Sequence, residues 1–170
     1  YMGGRVLLAQ THTKESPSTL ERRNAWILTL FSSIVMSLLG FYFAGRLVFG
    51  DILSDAEDPM DASLARFLCI FFLAYCLVDS VFAKLHYNDQ VNIGYEHHAG
   101  YFLLICYLLF SGNSLLFAVC ALEEFPTLIL AVFELRGDTM PRLLVGLSIF
   151  VFRITYHLYV TYTALSSNNT

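Results

Sequence analysis

Long apolar runs divided by short polar stretches set the pattern of this chain. From Ala25 to Gly45 there is no charged residue, and about 21 residues rising 1.5 Å each suffice to cross a hydrocarbon layer of roughly 30 Å. This predicts a first membrane span, with Trp26 near one interface and Tyr42 near the other. A second span is predicted over Leu64–Ala83, with Arg66 near its start and Asp79 near its end. A third, Ala99–Phe110, is short unless His97 and His98 count within it. Ser111-Gly112-Asn113 then signals a tight turn, so the third and fourth helices are expected to be antiparallel neighbours.

The fourth span, Ser114–Phe133, carries Glu123-Glu124-Phe125-Pro126-Thr127 at its middle. Pro126 removes a backbone donor and should kink or unwind the helix, which bundles accept where neighbours or a cavity satisfy the freed groups. After a loop from Glu134 to Pro141, a fifth span runs from Leu143 to about Thr163, with Arg153 and His157 one turn apart. The fold class that follows is all-α, a multi-pass transmembrane bundle of about five spans.

The polar stretches complete the layout. Residues 1–23 form a polar segment to which no element is assigned, 24–163 the membrane domain, and 164–170 a polar tail. Asp51–Asp61 is acidic but lacks the glycine and terminal glutamate of an EF-hand loop, so it reads as a solvated connector. Leu85–Gly94 reads as a short polar connection. Neither signal-peptide features nor an initiator Met stand at the start, which opens on Tyr1, so flanking segments are expected beyond this stretch.

Composition supports lipid as the solvent: 56% of residues are hydrophobic, 14% are charged and mean hydropathy is +0.60, where soluble domains average about 25% charged. A net charge of −4 without a basic cluster argues against a nucleic-acid partner. Cys69, Cys76, Cys106 and Cys120 all lie in apolar runs and read as small buried side chains. Placing the opening segment in the cytosol gathers most Lys and Arg on that side, puts the acidic connector opposite, and sets His97 and His98 toward the cytosolic leaflet.

Ionisable groups in an apolar bundle are functional-site hypotheses by default. Tyr75, Asp79 and His86 share a helical face if the second helix extends that far. A metal centre is not expected, because no histidines are spaced His-x-x-His or His-x-x-x-His. Two readings of His97, His98 and Asp79 stay open. In one, a histidine oriented by Asp79 accepts a proton during acyl transfer; in the other, Asp79, Glu124 and Arg153 form a structural network pinning the helices. A third reading is a lipid-binding cavity lined by aromatics such as Phe72, Tyr75 and Tyr107, with the headgroup near the histidines.

Taken in order, Arg23-Asn24-Ala25-Trp26, Tyr75-Cys76-Leu77-Val78-Asp79, His97-His98, Glu124-Phe125-Pro126-Thr127 and Phe150-Val151-Phe152-Arg153 resemble the motifs of the TLC-domain family, which includes the ceramide synthases. The likeness covers about Arg22 to Tyr162. It implies a protein of the endoplasmic reticulum or a related endomembrane, with helices around a lipid cavity to which Glu124, Arg153, Tyr75 and His157 would contribute. It also implies a catalytic trio of His97, His98 and Asp79, using acyl-CoA and a long-chain base as substrates and no bound cofactor. Ceramide synthases carry aspartates between the histidines and the glutamate, and this chain has none there. Handling of acyl lipids in membrane-lipid homeostasis is therefore the first expectation, N-acylation the second, and a non-catalytic subunit of a membrane complex the third.

Overall fold

A computed structural model describes residues 17–50, 52, 58–86, 93–137 and 142–167, with side chains placed from residue 26 onward except at 86, 93, 94, 142 and 167. The chain is an all-α bundle, with no strand among these residues. The helices are α1 (Pro17–Phe49), α2 (Pro59–His86), α3 (Ile93–Phe110), α4 (Ser114–Cys120), α5 (Phe125–Arg136), α6 (Arg142–Ile149) and α7 (Tyr156–Ser167). A 3-10 turn, Ala121–Glu124, joins α4 to α5, and a π turn, Phe150–Thr155, joins α6 to α7.

Among the described residues, the stretches Trp26–Phe49, Pro59–Leu85, Ser114–Arg136 and Leu143–Ser166 are long and apolar enough to cross a membrane. The shorter α3 has 18 residues and takes in both histidines. Every helix outruns its expected span. Pro17–Arg23 is helical although no element is assigned there from sequence, with Pro17 at a first-turn position where its missing N–H costs nothing. Helix also continues through Glu134–Arg136 of the expected loop and into the tail as far as Ser167. Polarity marks where a helix leaves the apolar layer, not where its hydrogen bonds stop, so span ends read from composition fall short.

Local chemistry sets the ends. Asp58 caps α2, its carboxylate accepting the Met60 N–H at 2.9 Å, with Pro59 next at the first helical position. At the end of α3, the Asn113 N–H reaches Leu108 O at 2.9 Å and the Gly112 N–H reaches Leu109 O at 3.4 Å. This is a Schellman closure, and Gly112 supplies its left-handed residue with φ +76°. Gly137, φ +70°, ends α5 in the same conformation.

The hub is α1, which packs on α2, α4, the 3-10 turn and α5. Its inward face carries small residues at helical spacing, with Ser33, Ser37, Gly40 and Ala44 all buried. Apolar burial drives association weakly in lipid, so close backbone approach and van der Waals packing take over. Gly40 shows how close: a Cβ built there would sit 2.7 Å from Leu122 Cα and 2.8 Å from the Ala121 carbonyl carbon. Around this contact, Met36 and Phe43 meet Leu68 and Phe72 of α2, Ile105 of α3 and Phe117 of α4. The outward faces stay apolar, with Phe31, Leu38, Phe67, Leu103, Leu147 and Leu158 exposed. On a water-soluble monomer so broad an apolar surface would drive aggregation; on a multi-pass membrane protein it contacts lipid.

The acidic connector is not wholly solvated. Asp61, in the first turn of α2, is 3% exposed, accepting from Tyr42 OH at 2.7 Å and from Arg46 Nε and Nη2 at 3.2 and 2.9 Å. This fork clamps the end of α1 to the start of α2, and so corrects the reading of Asp61 as part of a solvated loop. Asp55 and Glu57 lie outside the described residues.

Replacing Gly40 with alanine should lower the thermal unfolding midpoint in detergent by the equivalent of ~1–3 kcal/mol, the usual cost of overpacking. Gly45→Ala, where an added Cβ meets nothing within 4 Å, should be neutral or slightly stabilising. Equal effects at the two positions would show that backbone contact at Gly40 does not hold the bundle.

Candidate functional site

Breaking the fourth span creates the site. Pro126 offers no N–H, and the preceding residues tighten into the 3-10 turn, with the Phe125 N–H bonding back to Leu122 O. The kink expected at Pro126 is thus present as a tightening just before it, with Pro126 in the first turn of α5. The turn presents Glu123 and Glu124 to the bundle. Beside it lies a partly open cavity of about 370 Å³, lined by Met36, Phe72, Tyr101, Leu104, Leu108, Phe117, Val160 and other apolar side chains. Its polar wall is formed by Glu123, Glu124, His157 and Cys120. A mostly apolar recess with a few convergent polar groups is the usual form of a small-ligand site, and the volume falls in the ~300–1,000 Å³ range of such sites.

The last span supplies the partners of the two glutamates. Arg153 lies in the π turn, a widened stretch of helix often found where a side chain must be re-aimed. Its Nε donates to the Glu123 backbone carbonyl at 3.0 Å and its Nη2 to Thr127 Oγ1 at 2.7 Å. The same Nη2 lies 3.7 Å from Glu124 Oε1. Four residues on, His157 Nδ1 is 2.7 Å from Glu123 Oε1, and Tyr156 OH donates to Val119 O at 2.7 Å. Three side chains, Arg153, Tyr156 and His157, therefore tie the last span to the broken one, and each glutamate has its own basic neighbour.

The histidine pair stands apart from this cluster. His98 is largely buried, its Nδ1 lying 3.5 Å from Asp79 Oδ2 and 3.4 Å from Ser80 Oγ. Its ring stands edge-on to Tyr75, with centroids 5.5 Å apart. Tyr75 OH shares a 3.2 Å hydrogen bond with Thr29 Oγ1 on α1. His97 turns outward and is exposed, its ring 4.7 Å from that of Tyr101. Tyr101 in turn lines the cavity and packs on Phe72. Tyr101 thus touches both His97 and the cavity.

Comparison with protein-family models, curated proteins and solved structures finds no match.

The expected site residues therefore fall into two groups. Asp79, His98 and Tyr75 meet between α2 and α3, while Glu124, Arg153 and His157 meet at the 3-10 turn. His98 is the member of the pair that faces Asp79. Glu124 and His157 line the cavity, whereas Tyr75 lines a smaller recess of about 150 Å³ with Leu28 and Phe71. Arg153 acts from behind the cavity wall. Asp79, Glu124 and Arg153 do not form one network: the Arg153 contacts all go to the broken span, and the Asp79 contact goes to His98 on α3. The side chain of His86 lies outside the described residues, although α2 does reach it.

Two participants are given no role by the sequence: Cys120 and Thr127 join the cluster because of the turn. Glu123, one of the charged groups that stand out in the fourth span, is the partner of His157. The available signal was the spacing of Cys120, Glu123 and Thr127 around Pro126, which carries meaning only once the helix is known to tighten there.

Arg153→Lys should destabilise the protein by about 2 kcal/mol in thermal unfolding, because an ammonium cannot reproduce the fork to a carbonyl, a hydroxyl and a carboxylate at once. Arg136→Lys, at an exposed helix end, should change little. A wild-type midpoint in Arg153→Lys would show that charge alone, without the fork, secures the last span.

Proposed function

We propose that this membrane protein binds acyl lipids within its bundle and acts in membrane-lipid homeostasis, as a protein of the endoplasmic reticulum or a related endomembrane. The observation that carries the reading is the cavity of about 370 Å³, apolar over most of its wall and closed at one side by Glu123, Glu124 and His157. An acyl chain would lie against Phe72, Leu104, Leu108 and Phe117, where water gains nothing by staying. Its amide, hydroxyl or amine headgroup would meet the carboxylates and the imidazole. The ordered likeness of five short motifs to the TLC-domain family supports the same reading, since that family is associated with lipid cavities among helices.

A second reading is acyl-CoA-dependent N-acylation of a long-chain base, and the observation that favours it is the Asp79–His98 pair. A carboxylate 3.5 Å from Nδ1 is placed to hold that nitrogen, leaving Nε2 to accept a proton from an attacking amine. His98 would be the proton acceptor, Asp79 its orienting partner, and the exposed His97 would meet the incoming substrate.

Two measurements test these readings. Lipid extracted from the purified protein should contain bound acyl lipid that is lost or exchanged in Glu124→Leu; the same lipid in the same amount would overturn the binding reading. Membranes given labelled acyl-CoA and sphinganine should form N-acylated product that disappears in His98→Ala if the second reading holds. Product formation that is independent of His98 would exclude it.

A further inference from the structure

We infer that Cys120, Glu123 and His157 form a binding site for a divalent transition metal of the zinc type on the wall of the cavity. Their ligand atoms, one thiol sulfur, one carboxylate oxygen and one imidazole nitrogen, all lie within 4.8 Å of one another. All three residues line the cavity. The two departures from α-helical geometry bring them together. Residues i and i+3 eclipse in a 3-10 helix, so the turn that begins after Cys120 stacks Glu123 over it, where an α-helix would offset them. The π turn ends at Thr155, two residues before His157, and its extra residue rotates the following helix so that the imidazole meets Glu123. The Arg153 fork on the Glu123 carbonyl then fixes the backbone beneath the carboxylate. Outer contacts of this kind orient metal ligands.

The chemistry of the set selects the metal. Thiolate and imidazole favour zinc, or cobalt as its substitute, over magnesium or calcium, which prefer oxygen alone. Thiolate, carboxylate and neutral imidazole carry two negative charges between them, so a divalent ion makes the site neutral, the arrangement least costly away from water. On binding, the Cys120 proton leaves to solvent and His157 turns its unprotonated ring nitrogen to the ion, keeping its other N–H, so that metal–sulfur, metal–oxygen and metal–nitrogen bonds form. Tetrahedral zinc with ~2.1 Å bonds to nitrogen and oxygen and ~2.3 Å to sulfur spaces its ligand atoms roughly 3.4–3.6 Å apart. The 2.7 Å contact between His157 and Glu123 would therefore open by under about 1 Å, a rotation within reach of the exposed imidazole. Three protein ligands leave a fourth position, and the residues that hold the ion place it on the cavity, where a lipid carbonyl or a water could occupy it. Open tetrahedral sites of this form are those that polarise a bound carbonyl or activate water.

The test is cobalt titration of the full chain, purified in detergent and stripped with chelator. One Co²⁺ per chain should bind with tetrahedral d–d absorption and a thiolate-to-cobalt charge-transfer band, and Zn²⁺ should displace it. Cys120→Ser should abolish the charge-transfer band, and Glu123→Gln and His157→Gln should each weaken binding by at least ~10-fold, while Cys106→Ser leaves it unchanged. His157→Gln, at an exposed position, keeps the test decisive if the cysteine variant does not fold. A missing charge-transfer band in the wild type overturns the proposal, as does binding indifferent to His157. Lipid content of the metal-free protein, measured alongside, separates this outcome from the lipid reading: loss of metal binding with lipid retained removes the ion and leaves the cavity's ligand intact.

Discussion

A guanidinium in the middle of an apolar span is the constraint on which this bundle depends. Left without partners at the centre of a bilayer, it costs on the order of 3 kcal/mol even by the mildest estimates, and an unbroken neighbouring helix would have few free groups to offer it. Arg153 finds a carbonyl, a hydroxyl and a carboxylate within five residues of the broken span, Glu123 to Thr127. The irregularity on each side answers the other: the 3-10 turn exposes acceptors and the π turn aims the donor. The two distortions meet in these contacts and so form one structural feature shared between two spans.

That feature fixes what the rest of the chain must do. A tightened turn lying deep in the bundle can be covered only by a helix that comes very near, and α1 provides the approach with Gly40 against Ala121 and Leu122. The serines on the same face keep the surface narrow, although Ser32 and Ser37 place hydroxyls in the interior without a hydrogen-bond partner among the described residues. A short way along, toward its C-terminal end, α1 is held again by Tyr42 and Arg46 on Asp61. Two anchors of different chemistry, one steric and one ionic, thus fix the helix around which the others pack.

How much of this could be read beforehand follows the range of each signal. Spans were legible because apolar runs of about twenty residues have few meanings, and Pro126 announced its own break because a missing donor is local. The site was legible only as an inventory. Arg153, His157, Glu124 and Asp79 stood out as charge in oil, but which acid meets which base depends on helix phase, and the π and 3-10 turns change that phase in ways no spacing rule records. The network expected from the sequence joins Arg153 to Glu124 and Asp79 and leaves Glu123 out, whose carbonyl and carboxylate are both engaged. Asp61 was misread for a related reason: in an acidic stretch it looks like one solvated charge among several, and only the arrival of Arg46 from another helix distinguishes it.

Two histidine–carboxylate pairs result, and their positions relative to the cavity separate their possible roles. Glu123 and His157 form part of its wall, so any molecule entering it meets them without rearrangement. His98 and Asp79 are not among the residues that line it, and Tyr101, which is, touches His97. Tyr101, which carries no charge, is thus the side chain through which the histidine pair touches the cavity wall, and it does so at His97 and not at the Asp79–His98 pair.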